Sequence, residues 1–401
     1  MEAVTDHSRE RGIVPAVHID GDRRDLRLDA CRGLALWFIF IDHIPGNAFA
    51  WLTVRDYGFS DTTEVFVFVS GYTCMLAYGG ALREQGWPTI VARSLRRGVE
   101  IYAAFLLLLI GYFVLIWLTG GGSRYLDETN TRFFFENPGV SLMHAVVLQY
   151  TPVNTDILPT FVMLHLAFPV VLWLLIRNPA AALAASFLLY LMVQLFSWQV
   201  PAWPTGELYF NPLAWQIVFM SGMVLGTLTQ QGAIDWGRFL APERTTLPKL
   251  ALMVLVFFLP IRIATAHGWV TWEQMTAFNA MSIRPSFGLV YLMSFASAVA
   301  LVAWVVVAGP QAQSRAVQAI AAGVRALLAL PYLRLIGRHS LQTYAWHVVL
   351  VYGVYYLDRE YGPFGVGTKT VMAISCLMLL ALPALWREHG RRMLGVRLTG
   401  V

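Results

Sequence analysis

The stretch Arg27-Leu28-Asp29-Ala30-Cys31-Arg32-Gly33-Leu34-Ala35-Leu36-Trp37-Phe38-Ile39-Phe40-Ile41-Asp42-His43-Ile44-Pro45-Gly46-Asn47 decides the fold. It starts among charges, runs through an apolar core, and carries Asp42 and His43 deep in that core. On an α-helix, eleven steps of about 100° return to within roughly 20° of the start, so Arg32 and His43 share one face about 16 Å apart. A guanidinium and an imidazole on one stripe of an apolar helix are costly in lipid. Such groups face a bundle interior or a wet cavity and are functional candidates by default.

The rest of the chain agrees with a membrane setting. Of its 401 residues, 57% are hydrophobic and 13% charged, and the mean hydropathy is +0.57. A soluble domain is nearer half apolar and a quarter charged. The fold class expected is an all-α polytopic membrane protein. Apolar runs near the ~20 residues that span a bilayer lie at 33–52, 60–80, 99–119, 157–176, 180–198, 212–230, 247–266, 286–308, 337–357 and 366–386. The sequence thus predicts a bundle of about ten transmembrane helices, with 140–150 as a short interfacial or re-entrant helix.

Loop charges set the orientation. One set of loops holds 21 Lys and Arg residues and the alternate set holds 7, with Arg32 inside the first span. Both termini are therefore expected in the cytoplasm. The net charge of +5 follows this loop pattern, so no nucleic-acid partner is expected. Residues 1–24 lack the apolar core of a signal peptide and read as a flexible cytoplasmic tail. A transmembrane domain is expected over 25–390 and a cytoplasmic tail over 391–401. No loop is long enough for a separate catalytic domain, so the chemistry must lie in the bundle. Cys31, Cys74 and Cys376 show neither a disulfide framework nor metal spacing and read as small apolar fillers.

Several polar residues stand out in this apolar background. Asp61 and Glu64 are one turn apart at the start of the second span, at a depth similar to His43. Ser340, Tyr344 and His347 form one stripe of the ninth span. Asp156-Ile157-Leu158-Pro159 and Phe210-Asn211-Pro212-Leu213-Ala214-Trp215-Gln216 read as capped helix starts with Pro in the first turn. Each has a plainer reading. In a soluble core His43 would be a hydrogen-bonded buried histidine; beside Asp42, and on the face of Arg32 in a span, the functional reading is favoured. Arg32 can snorkel to the interface, bind a ligand, or do both. Glu64 can cap its helix, pair with an arginine or orient a histidine. The Ser340 stripe suits interhelical hydrogen bonds better than chemistry. Asp156, Asn211 and Gln216 can simply satisfy helix ends. Arg93, Arg96 and Arg97 obey the orientation rule, and only their clustering points to a phosphate site.

Three separated motifs resemble a known family. Arg32-x10-His43, the run Glu64-Val65-Phe66-Val67-Phe68-Val69-Ser70-Gly71-Tyr72, and Gly337-Arg338-His339-Ser340 leading to Tyr344-Ala345-Trp346-His347 look like the successive motifs of the integral-membrane acyltransferase-3 superfamily. Glu64 stands where Asp is commoner, and Val67 replaces one Phe. More narrowly, Arg27-Leu28-Asp29, Trp37 to Pro45, Asp156 to Pro159 and Phe210 to Gln216 are similar to the OpgC branch, the succinyltransferases of osmoregulated periplasmic glucans.

That resemblance implies a multi-pass protein of the bacterial inner membrane. It implies an acyl-CoA, succinyl-CoA in this branch, as co-substrate, a periplasmic glucan as acceptor, and no permanently bound cofactor or metal. His43 is then expected as general base, because a base for a sugar hydroxyl should titrate near neutrality, with Glu64 or Asp42 holding its ring. Arg32, Asp29, Asp156, Asn211, Trp215, Gln216, Ser340, Tyr344 and His347 are expected along the substrate path. Arg93, Arg96, Arg97, Arg334 and Arg338 are expected to hold CoA phosphates. Two other readings stay open: a proton-coupled transporter or flippase, and an O-acetyltransferase of another cell-envelope glycan or lipid. No inverted repeat is visible, and the three ordered motifs oppose the first. Relatives of the second kind often carry an extracytoplasmic domain. Homo-oligomerisation is left open.

Overall fold

The structure, a computed structural model, describes residues 25–44, 46–120 and 126–393. The expected tail at 1–24, the turn residue Pro45 and the last eight residues lie outside these. Asp25 caps the first helix, α1 (Leu26–Asp42), accepting from the Arg27 amide at 2.9 Å. At the other end Asn47 gives its amide to the Ile41 carbonyl at 3.0 Å and to that of Ile44, then accepts from Ala50 N. One buried side chain thus satisfies orphan carbonyls of α1 and caps the 3-10 turn Ala48–Leu52. The expected span 33–52 is therefore cut short at Asp42.

A capping box starts α2 (Thr62–Leu118): Asp61 accepts from Thr63 N and Glu64 from Asp61 N. The helix runs on through the segment expected as a cytoplasmic loop at 81–98. It is broken only at Gly86, whose φ of +78° glycine adopts without strain. Arg93, Arg96 and Arg97 consequently stand on a helix, not in a loop.

Next come the short α3 (Arg132–Glu136) and α4 (Pro138–Val146), the latter where a short interfacial helix is expected. Then follow α5 (Ile157–Arg177), α6 (Pro179–Phe196), α7 (Pro212–Gln230), α8 (Trp236–Phe239) and α9 (Thr246–Ala266). The chain continues through α10 (Thr276–Met281), α11 (Leu289–Val307), α12 (Arg315–Ala329) and α13 (Pro331–Arg338). It closes with α14 (Ser340–Tyr361), α15 (Val366–Leu379) and α16 (Leu382–Met393). The described residues contain no β-strand. Seven helices among them are long and apolar enough to cross a membrane, and the α12–α13 pair, bent by 54°, would make an eighth. α1, the first part of α2, and α14 are not among the seven, although they fall within expected spans.

Glycines set the packing of the polar helices. Gly33 of α1 backs onto the Leu333 carbonyl of α13, and Gly337 of α13 onto that of Asp29. Gly71 of α2 backs onto the Phe219 carbonyl of α7, and Gly222 of α7 onto that of Phe68. A Cβ at any of the four would overlap backbone, so these helices meet at small-residue contacts of the kind membrane bundles use. Gly222→Ala should therefore cost about 1–3 kcal/mol of overpacking, seen as earlier unfolding in detergent. Gly111→Ala, where a Cβ meets nothing within 4 Å, should be neutral. Equal behaviour of the two variants would refute this packing.

Candidate active site

α1 ends at His43, whose amide still reaches the carbonyls of Ile39 and Phe40 at 3.2 Å. Its imidazole therefore projects from a helix end. α14 brings up the partner. Its buried face carries Tyr344 and His347, one turn apart. The Tyr344 hydroxyl donates to the Asn154 carbonyl at 2.7 Å, tying α14 to the loop before α5. His347 stacks on His43 with ring centroids 5.4 Å apart and planes 25° apart. His43 Nδ1 lies 3.2 Å from His347 Nε2, and His347 Nδ1 meets the Tyr344 carbonyl. Two residues 304 positions apart thus form one imidazole pair.

His43, though not His347, borders a cavity of about 190 Å³. His43 shares its wall with Tyr112, Tyr352, Asn154, Glu128, Asp358 and Lys369. Lys369 pairs with Asp358 at 2.9 Å, and Asp358 also accepts from Phe364 N at 2.8 Å. The cavity therefore lies at the end of the bundle to which α1 delivers His43, between residues 128–129 and 153–154 on one side and α14 and the start of α15 on the other. Its wall sets carboxylates, an ammonium, phenols and an amide, groups able to donate and accept hydrogen bonds, among the apolar Ile44, Val153, Val351 and Val354.

The carboxylates expected on His43 lie elsewhere. Asp42 accepts from the Thr53 hydroxyl at 2.7 Å, while its carbonyl accepts from Arg55 at 3.1 Å. Glu64, fully buried, accepts from Asp61 N and lies 3.9 Å from Arg284; Arg284 binds Asp61 at 2.6 Å. Neither carboxylate is hydrogen-bonded to the imidazole, and His347 occupies the place beside Nδ1. Arg32 donates to the Thr73 hydroxyl, which itself donates to the Val69 carbonyl at 2.7 Å, so Arg32 joins α1 to α2. Asp29 is buried where α1 meets α13.

Most of the other expected substrate residues have partners within the fold. Asp156 accepts from the Thr151 hydroxyl at 2.7 Å and does not cap α5. Asn211 caps α7 through Leu213 N and donates to the Trp198 carbonyl at 2.8 Å. Trp215 is fully buried, with its indole N–H on the Pro285 carbonyl at 3.2 Å. Gln216 and Ser186 bond reciprocally, joining α7 to α6. Ser340 is half-buried at the first turn of α14. On the remaining helices, Arg96 and Arg97 share Glu100, Arg93 donates to Gln85, Arg334 to the Leu328 carbonyl, and Arg338 pairs with Glu388.

The family profile described as OpgC protein matches residues 24–392. The chain belongs to the OpgC family. Comparisons with curated proteins and with solved structures each return no match. Within this OpgC chain, reasoning from sequence missed Lys369, Asp358, Glu128 and Arg284. Lys369 carried a signal, being one of only two lysines among 29 basic residues. Arg284 carried none, since nothing local ties it to a helix start 223 positions away.

The Asp61–Glu64–Arg284 cluster is a testable feature of the site's frame. Removing one partner of a buried ion pair leaves an uncompensated charge and costs about 3–5 kcal/mol. Arg284→Met should lower stability in detergent by that order. Arg96→Gln removes a pair whose arginine is 82% exposed and should change it by less than about 1 kcal/mol. A stable Arg284→Met protein would show that the cluster does not hold α2 in place.

Proposed function

We propose that this OpgC-family chain is a membrane-embedded acyltransferase that moves a succinyl group from cytoplasmic succinyl-CoA to glucose hydroxyls of a periplasmic glucan. The observation that carries the reading is His43 on the wall of a cavity whose polar groups can donate and accept hydrogen bonds. Family membership and the ordered motifs resembling the acyltransferase-3 superfamily support it. The reading includes ten spans in the bacterial inner membrane with both termini cytoplasmic. The cavity then faces the periplasm, and Arg93, Arg96, Arg97, Arg334 and Arg338 lie on the donor side.

In the proposed step the acceptor hydroxyl binds in the cavity and gives its proton to His43. Its oxygen attacks the thioester carbonyl carbon. The tetrahedral intermediate collapses, the C–S bond breaks, and the thiolate of CoA takes up the proton from the imidazolium. The base must lie within about 2.6–3.2 Å of the hydroxyl it deprotonates. Arg32, inward of His43 on the same helix, stands along the route of the acyl arm. The arginines at the cytoplasmic mouth hold the CoA phosphates.

Purified protein incubated with labelled succinyl-CoA and a glucan should produce labelled glucan. His43→Ala should lower transfer by at least about 10²–10⁴-fold while the protein still folds and binds acyl-CoA. Transfer at near-normal rate by folded His43→Ala would remove His43 as base. Label accumulating on no glucan, under conditions where acyl-CoA binds, would remove the acceptor assignment.

The donor side has its own test. Replacing Arg93 and Arg97 together by Gln, or Arg334 and Arg338 together, should raise the KM for acyl-CoA several-fold and leave the acceptor KM unchanged. Unchanged donor kinetics in both double variants would place the CoA phosphates elsewhere.

A further inference from the structure

We infer that His347 is a positioning residue: it fixes the tautomer of His43 so that Nε2, not Nδ1, takes the acceptor's proton. The inference rests on the reading of His43 as general base and adds the group that makes it one.

A backbone carbonyl only accepts, so His347 Nδ1, which meets the Tyr344 carbonyl, carries a hydrogen. A neutral imidazole holds one N–H and one lone pair. His347 Nε2 therefore bears the lone pair, and it faces His43 Nδ1 at 3.2 Å. For that contact to be a hydrogen bond, His43 Nδ1 must carry the hydrogen. His43 Nε2 is then left as the lone-pair nitrogen, and it forms no hydrogen bond with the described residues. A second proton on His347 would put a charge on a side chain that is 1% exposed and has no acid partner among the described ion pairs.

The arrangement does what a buried carboxylate does for a catalytic histidine, holding the tautomer and the ring orientation, with a neutral ring instead. It also explains why Glu64 and Asp42 can be engaged by Arg284 and Thr53 without leaving His43 unoriented. The chain of contacts is anchored: Tyr344, whose carbonyl sets His347, is held by Asn154, which itself lines the cavity. A neutral histidine side chain in water favours Nε2–H, so a contact that places the hydrogen on Nδ1 reverses the intrinsic preference, and its loss should return the hydrogen to Nε2.

The test uses two variants and one spectroscopic readout. His347→Phe keeps a ring against His43 but removes the acceptor. His347→Gln keeps an acceptor oxygen. The kcat of His347→Phe should fall by about 10²–10⁴-fold with the acceptor KM within a few-fold of wild type. His347→Gln should recover at least tenfold of that loss. In the full-length protein with 15N-labelled histidine, the His43 signals, assigned by their loss in His43→Ala, should report Nδ1–H in the wild type and in His347→Gln. They should shift toward Nε2–H in His347→Phe. A wild-type His43 with its proton on Nε2 overturns the inference. So does a tautomer unchanged in His347→Phe, whether or not that variant is active. If instead His43→Ala keeps its activity, the assignment of the base fails, and the tautomer measurement still decides the geometry by itself.

Discussion

The structure depends on the cost of holding charge in a low-dielectric bundle. An ionised group without a partner is expensive there, so every such group must find another group or water. The outcome is visible at the start of α2. Two carboxylates and one guanidinium, drawn from α2 and from the loop before α11, close on each other with Glu64 fully buried. Arg32 is met by Thr73 and the Asp42 carboxylate by Thr53, while Arg55 binds the Asp42 backbone carbonyl. These pairings fix how α1, α2 and the loop before α11 sit, and they leave His43 to be held by an uncharged neighbour. A neutral partner avoids placing another charge beside the proposed base.

Close backbone contact makes the same helices rigid. α1 meets α13 and α2 meets α7 through glycines that lie against carbonyl oxygens. The polar helices are thus locked in the interior, while the long apolar helices α5, α6, α9 and α11 supply exposed leucine, valine and phenylalanine for lipid. The proposed proton transfer would gain from that rigidity. A hydroxyl and a base must be held near hydrogen-bonding distance for transfer to be efficient.

Much of this was legible in the sequence. The helix between Arg32 and His43 is there, although it stops at Asp42 and the two side chains meet different helices, Arg32 at Thr73 of α2 and His43 at His347 of α14. The stripe of Tyr344 and His347 on α14 was also readable from spacing, because helical period is local. Span boundaries were less so. Asn47 ends α1 inside an apolar run that does not show the stop, and the polar stretch around Gly86 read as a loop where α2 only breaks and runs on. Partner choice was illegible for a different reason. Glu64 offered capping, an arginine or a histidine, and only the fold brings Arg284 to it across more than two hundred residues. Asn211, Trp215 and Gln216 were expected on the substrate path only through the family resemblance, while their position alone read as a capped helix start. In the fold their polar atoms are bound to Trp198, Leu213, Pro285 and Ser186. The cavity residues Glu128, Asp358 and Lys369 come from three separate stretches, and no single stretch announces them.

The central claim is that His43 faces the acceptor hydroxyl while the acyl carbon arrives from the other side. An experimental structure with a thioether analogue of succinyl-CoA and a glucan fragment tests it most directly. The account predicts a sugar hydroxyl within about 2.6–3.2 Å of His43 Nε2, with the analogue's carbonyl carbon beside that oxygen and its phosphates among the arginines of α2 and α13. Both ligands bound together at a site remote from His43, with the cavity beside it holding only water, would contradict the account.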